Sequence, residues 1–424
     1  MDGRAAERRD RGEAASMSAA AIDHHPGTPG YWRIRSYDAA RAILRARHAT
    51  TQAGFTAERI PQGWFTHRPI LIADGPAHDA QRRELARFFA PAVIDDRYAA
   101  DIDACAQAIV DDAVVTGRCR LDRAALHYTV DVTARIVGLT EAPVEALAGR
   151  LVAFFRQPPV DLSAPNWGRT NRQWLQAAIN GLLPLTKFFV ADVLPAIRAH
   201  RRDHRDDIIS HLLDSGSSTA DILVECVTYG TAGMVTTREF ITVAAWRLLT
   251  DDDLRQRYLP ADRATRLALL AELIRLDPIV GHLFRRVTDD LTLDVDGHAT
   301  TIPAGDLIDI DVTQANVDSS TFGPDAETVC PFRTQRRHVS RPGTADERAP
   351  SVPLSAGLSF SDGAHRCPGQ PLALIETDAL LHRLLACEPR LLTAPTVGHD
   401  SVIAGCHLRG LELGFSVPAR PRRH

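Results

Sequence analysis

The chain has 424 residues, 45% of them hydrophobic and 24% charged, with a formal net charge of -4. That length supports one large core or two domains. The near balance of charge gives no support to a nucleic-acid or polybasic membrane role.

The opening stretch, Met1-Asp-Gly-Arg-Ala-Ala-Glu-Arg-Arg, is too polar and too acidic for a secretory or transit peptide. Residues 1–26 are expected to form a disordered tail, with Met17 an alternative start, and residues 27–424 a single domain. Tyr31 to Arg35 alternates like a short strand, and Tyr37 to Arg47 has helical spacing. Gln52 to Pro69 is rich in Gly and Pro, with Phe55, Trp64 and Phe65 among polar residues, and reads as a long binding loop. Asp74 and Pro76 mark a helix start. His78 and Arg82 then lie four apart on one helix face, a pair able to hold an anion or simply to form a solvated polar face.

Ala99 to Arg202 is mostly helical in pattern, interrupted by a Pro/Gly/Asn-rich patch at Pro158 to Gly168. No run reads as reaching the roughly 18 apolar residues of a bilayer span. Ser217 to Asp221 opens a long apolar helix, Ile222 to Leu249. Gly230 and Gly233 in its middle cost roughly 1 kcal/mol each relative to Ala, which points either to close approach by a cofactor or to a tight helix crossing. Glu272 and Arg275 form an i,i+3 pair, ordinarily worth little at a surface, and Pro278 ends that helix. Leu291 to Pro303 alternates about Asp296-Gly297, a hairpin signal. Arg336 to Gly357 reads as irregular, and Thr393 to Leu413 as loose strands.

Seven cysteines (Cys105, Cys119, Cys226, Cys330, Cys367, Cys387 and Cys406) lie far apart without a C-x-x-C pair. This argues against a disulfide framework or structural zinc and for a reducing, cytoplasmic setting. Cys367 differs from the rest. It sits in the loop Phe360-Ser-Asp-Gly363-Ala-His365-Arg366-Cys367-Pro-Gly369, just before a helical pattern beginning at Gln370. A helix N-terminus favours a thiolate, and the two glycines permit a tight, positive-φ loop open to a flat ligand.

The pattern F-x-x-G-x-H-x-C-x-G resembles, at each fixed position, the haem-binding signature of the cytochrome P-450 family. The resemblance implies a mainly α fold with small β-sheets (α+β), with haem b between the long central helix and the cysteine loop. Cys367 would be the axial iron ligand, with Phe360, Gly363 and Gly369 shaping its loop. His78, Arg82, Arg285 and His365 would hold the propionates, and Ala232 and Gly233 would face the macrocycle. Ala232-Gly233-x-x-Thr236-Thr237 resembles the oxygen-activating helix, with Thr236 hydrogen-bonding dioxygen. This chain departs from the pattern at Val235, where an acid is usual. Valine cannot relay a proton, and Glu239 is the substitute in view. Glu272, Arg275 and Arg333 look like the family's structural clamp. The resemblance also makes the patch at Pro158 to Gly168 part of the substrate lid, with Ile279 to His282 and the turn Ile403 to Cys406 lining the pocket.

The implied reaction is O2-dependent hydroxylation or epoxidation of a small organic substrate, in secondary metabolism. Alternatives are oxidative coupling, peroxide-driven oxidation, nitration, nitric oxide reduction, or haem binding without turnover. With no flavin or nicotinamide fingerprint in the chain, electrons from NAD(P)H are expected through a separate ferredoxin or flavodoxin and its reductase. That partner would dock on Arg83, Arg87 and Arg366. The protein is expected to be a monomer, without a membrane span or nucleic-acid partner.

Overall fold

Side-chain caps decide where many of the helices begin. In the computed structural model, Ser36 accepts a hydrogen bond from the Ala39 amide to open α1 (Tyr37–Arg45). Thr170 and Gln173 form a reciprocal capping box at the start of α6 (Asn171–Phe188), and Ser218 and Asp221 do the same for α8 (Thr219–Tyr229). Asp262 caps α10 (Arg263–Leu276), which stops before Pro278. Asp74 precedes α2 (Gly75–Phe89) without capping it, because its carboxylate is committed elsewhere. The structure describes residues 20–27, 29–54, 68–162, 164–295, 297–331, 333, 356–400 and 405–416. Most of the expected loop at Gln52 to Pro69, the Asp296 corner, most of Arg336 to Gly357 and the turn at Ile403 lie outside them.

A large helical core joins α3 (Ala99–Thr116), α4 (Leu121–Val137), α5 (Val144–Ala153), α8, α9 (Thr236–Thr250), α10 and α11 (Gln370–Ala386). Between α8 and α9 the helix runs on through one π-type turn, Gly230–Val235. Such turns are frequent where a helix serves a site. Gly230 is explained by a crossing: a Cβ there would lie 2.6 Å from the Leu151 side chain of α5. Gly233 has no such constraint, since its nearest neighbour, Thr133 of α4, is at 3.6 Å.

A second, smaller core lies against a five-stranded sheet ordered β1-β2-β8-β5-β3. Its strands are β1 (Ile22–His25), β2 (Tyr31–Ile34), β3 (Thr50–Ala53), β5 (His282–Val287) and β8 (Leu307–Asp311). β1 corrects the expectation of a disordered 1–26: Ile22 to His25 pair antiparallel with β2, from Ile22 opposite Ile34 to His25 opposite Tyr31. The hairpin β6 (Leu291–Val295) and β7 (His298–Ile302) forms as expected. The C-terminal strands divide between two small sheets. β9 (Arg390–Thr393) and β12 (Glu412–Gly414) join β4 (Arg118–Arg120), while β10 (Thr396–Asp400) pairs with β11 (Gly405–Arg409).

The span reading needs correction. The continuous helix Asn171–His200 reaches a mean hydropathy of 1.4 over 18 residues, long and apolar enough to cross a bilayer by composition. Averaging hides its form: one face packs on α5 and the other carries large apolar side chains outward.

Candidate active site

The cysteine loop is held at several points. The Cys367 amide donates to the Phe360 carbonyl at 2.8 Å and closes the loop. Asp362 accepts from the Gly363 amide at 2.8 Å and from Arg41 and Arg45 of α1 at 2.9 and 3.0 Å. Gly363 has φ +66, and a Cβ there would meet the Leu44 carbonyl oxygen at 2.2 Å. Its glycine is therefore demanded by the backbone of α1. Gly369 departs from the expected positive φ. It has φ -80 as the residue preceding α11, and its nearest neighbour on the Cβ side is the Cys367 sulfur at 3.8 Å. The expected bias toward thiolate is also corrected. Burial pushes the Cys367 thiol above its ordinary value, outweighing the Gly369 and Gln370 amides and the Arg82 and Arg366 guanidiniums.

Behind the loop, Glu272 and Arg275 are fully buried and joined by two bonds of 2.7 and 2.9 Å. Arg333 reaches Glu272 at 3.4 Å, and the Cys330 amide reaches it at 3.0 Å. Arg275 also donates to the carbonyls of Asn316 and Ala326 at 2.6 and 2.8 Å. Asn316 in turn binds the Leu358 amide at 2.7 Å and the Ser359 hydroxyl at 2.9 Å. This knot fastens the segment before Phe360 to the end of α10.

The four expected anion ligands converge on one rim. The rings of His78 and His365 stack with centroids 4.3 Å apart. His365 Nε2 meets Asp74 Oδ1 at 3.0 Å, Asp74 Oδ2 accepts from the Gln52 amide at 2.9 Å, and Gln52 Oε1 accepts from Arg285 Nη1 at 2.5 Å. Arg82 donates to the Arg366 carbonyl and lies within electrostatic reach of Cys367 and Tyr229. Both ring nitrogens of His78 and Nη2 of Arg285 are buried without a hydrogen-bond partner, His78 Nδ1 coming no nearer than 3.6 Å to the Asp79 carboxylate. Burial pushes His78 down to about 4 and Arg285 down to about 10. At neutral pH His78 is therefore an uncharged donor, and Arg285 supplies the buried positive charge. Unpaired buried polar groups of this kind, one imidazole N–H and one guanidinium N–H among them, are rare unless a ligand completes them, so the rim fits a group bearing carboxylates.

On the central helix, Ala232 is exposed and Gly233 and Thr236 are half-buried, between buried Gly230, Met234, Val235 and Thr237. A flat apolar ligand has an open helix face there. The Thr236 hydroxyl donates to the Ala232 carbonyl. Glu239 turns away from the expected relay: its oxygens bind Arg409 at 2.6 and 2.7 Å and Arg238 at 2.9 Å. These ion pairs join α9 to β11. The acid that sequence reading missed is Glu376 of α11. It is 1% exposed, its Oε2 has no partner, and burial raises it well above the carboxylate range while the Thr237 hydroxyl sits against it. Its place in the helix after the cysteine gave no local signal. Asp74 and Gln52 were likewise missed as rim residues. His282 is a satisfied histidine whose partner is Asp309, at 2.7 Å.

A cytochrome P450 family model matches residues 267–387, which span α10, the clamp and the cysteine loop. Cytochrome P450 130 of Mycobacterium tuberculosis is 25% identical over 334 residues, covering 75% of this chain and 71% of that protein. The 20-oxo-5-O-mycaminosyltylactone 23-monooxygenase of Streptomyces fradiae is 29% identical over 215 residues, 50% of this chain and 44% of that one. Among solved structures, P450BioI in complex with a hexadec-9Z-enoic acid ligated acyl carrier protein superposes with a TM-score of 0.74 at 18% identity. That superposition covers 97% of this chain and 98% of that one. The chain carries the cytochrome P450 fold, and its residues 267–387 match that family's model. It is an oxidoreductase of the monooxygenase class, and the family's cofactor and co-substrate are haem and O2.

Proposed function

We propose that the chain is a cytoplasmic haem-thiolate monooxygenase that hydroxylates or epoxidises a small organic molecule of bacterial secondary metabolism. Its electrons come from NAD(P)H through a separate ferredoxin or flavodoxin. The observation that carries this reading is the convergence of the closed Cys367 loop with a rim where the His78 ring nitrogens and Arg285 Nη2 lack hydrogen-bond partners. Cys367 would ligate the iron, while His78, Arg82, Arg285 and His365 would hold the propionates. Phe360, Gly363 and Gly369 shape the ligand loop, and Ala232 and Gly233 leave the helix face open. When bound, haem supplies the reductive activation of O2.

The chain's own residues do the rest. Thr236 places its hydroxyl on the open helix face, where it donates to the Ala232 carbonyl. One residue further on, Thr237 touches Glu376, whose carboxyl is pushed well above the ordinary carboxylate range by burial. These three groups make the proton store that Val235 cannot provide. The Glu272–Arg275–Arg333 clamp keeps the ligand loop in place without touching substrate. Addition of carbon monoxide to the reduced, haem-loaded protein should give thiolate-type absorption, and Cys367→Ala should abolish it. A pigmented, folded wild-type protein without that band would sink the proposal.

Val235, together with the ion-paired Glu239, favours a second reading in which peroxide serves as oxidant. Turnover with hydrogen peroxide but not with O2 and reductant selects it.

A further inference from the structure

The outward face of α6 carries Leu175, Ile179, Leu182 and Leu183, continued two residues past Phe188 by Val190, each between 53% and 65% exposed. The spacing Leu175, Ile179, Leu182, Thr186 alternates four and three, the narrow seam by which one helix packs on another. The opposite face, with Trp174, Ala177, Gly181, Leu185 and Phe188, turns inward. From Asn171 to Ala191 there is no acidic residue, and the two cations, Arg172 and Lys187, pair with no carboxylate among the described residues.

We propose that this seam binds the same seam of a second copy of the chain, antiparallel about a two-fold axis between Leu182 and Leu183. That register sets Leu175 against Val190, Ile179 against Thr186, and Leu182 against Leu183. The stripe is thus complementary to itself, as an isologous contact requires. Charge fixes the direction. A parallel pair would stack Arg172 on Arg172 and Lys187 on Lys187, whereas the antiparallel pair sets Lys187 beside Ala178 and Arg172 beside Val193. The positions flanking the seam, Gln176 and Ala178, carry no charge, so nothing there opposes self-pairing. Two basic residues in this stretch are too few for the cation-rich polar face of a helix that lies on anionic lipid. Five half-exposed side chains cover on the order of 500 Å2 per subunit, below the roughly 800 Å2 of a standard interface, so the dimer dissociates in the micromolar range. This departs from the expected monomer.

Sedimentation velocity of the haem-loaded protein from 1 to 200 micromolar (about the dissociation range just given) should show a dimer fraction rising with concentration. Leu182→Glu and Ile179→Asp should each weaken it at least tenfold with the absorption spectrum unchanged. A short bis-maleimide should cross-link Leu183→Cys to its mate above the wild-type background, but not Leu175→Cys, whose mate lies at the far end. Cross-linking at both positions indicates parallel pairing and overturns the register. A wild-type protein that stays monomeric throughout overturns the proposal. Flotation of a monomer with phosphatidylserine-containing vesicles overturns it as well, by assigning the stripe to lipid.

Discussion

Glu225 shows how one buried carboxyl sets a pH dependence. It lies on α8, accepts from the Ile70 amide at 3.2 Å, and leaves Oε2 without a partner. Burial pushes it from 4.5 up to about 7. The neutral form suits the folded state, so its stabilising effect is complete below about 4.5 and is lost as pH rises to about 7. At 1.36 kcal/mol per pKa unit the swing is on the order of 3 kcal/mol. Glu225→Gln should therefore be more stable than the wild type at pH 8 by about 1–3 kcal/mol and nearly equal to it at pH 4.5, as measured by denaturant unfolding. Glu376 makes a different prediction. If its proton feeds Thr236 through Thr237, Glu376→Gln should lower product formed per reductant consumed by up to about a hundredfold, the low end of what one general acid contributes. Unchanged coupling would remove Glu376 from the relay.

Among the elements, the ligand loop and its clamp were the most legible in the sequence, because their chemistry is local. Phe360, Gly363, His365, Cys367 and Gly369 sit at fixed short spacings, and Glu272 and Arg275 lie one helical turn apart. Contacts far apart in the chain were not legible. Gly230 is explained by Leu151 of α5, and Gly363 by Leu44 of α1, neither of which a window around the glycine can reveal. Glu239 illustrates the same limit: its spacing from Thr236 suited a relay, but Arg409, 170 residues away, claims it. β1 was missed because a polar four-residue strand acquires its meaning only from β2. The clamp yields a stability prediction. Glu272→Ala leaves Arg275 buried without its counter-charge and should cost about 3–5 kcal/mol, with loss of haem retention on heating. Gly363→Ala adds a side chain at positive φ against a backbone oxygen, and should cost about 2–3 kcal/mol in the thermal midpoint analysis.

At the scale of the whole molecule, the proposed docking face is narrower than the sequence implied. Arg83 and Arg366 are exposed and bind no carboxylate among the described residues, whereas Arg87 is tied to His211 at 2.8 Å. Reversing Arg83 and Arg366 together should slow reduction by an acidic ferredoxin roughly tenfold at low salt, with the difference shrinking as ionic strength rises. An unchanged rate and salt slope would place the docking face elsewhere. The anchoring of the cysteine loop has a broader consequence. Its approach is knotted to α10 through Asn316, its turn is bolted to α1 through Asp362, and its exit is the first turn of α11. A floor fastened on three sides cannot adapt to different guests, so new preferences must be acquired in the ceiling, for which we propose the segment Pro158 to Gly168 and the helices that flank it. Engineering confined to that ceiling should redirect which molecules are oxidised while the electronic signature of the iron stays as it was.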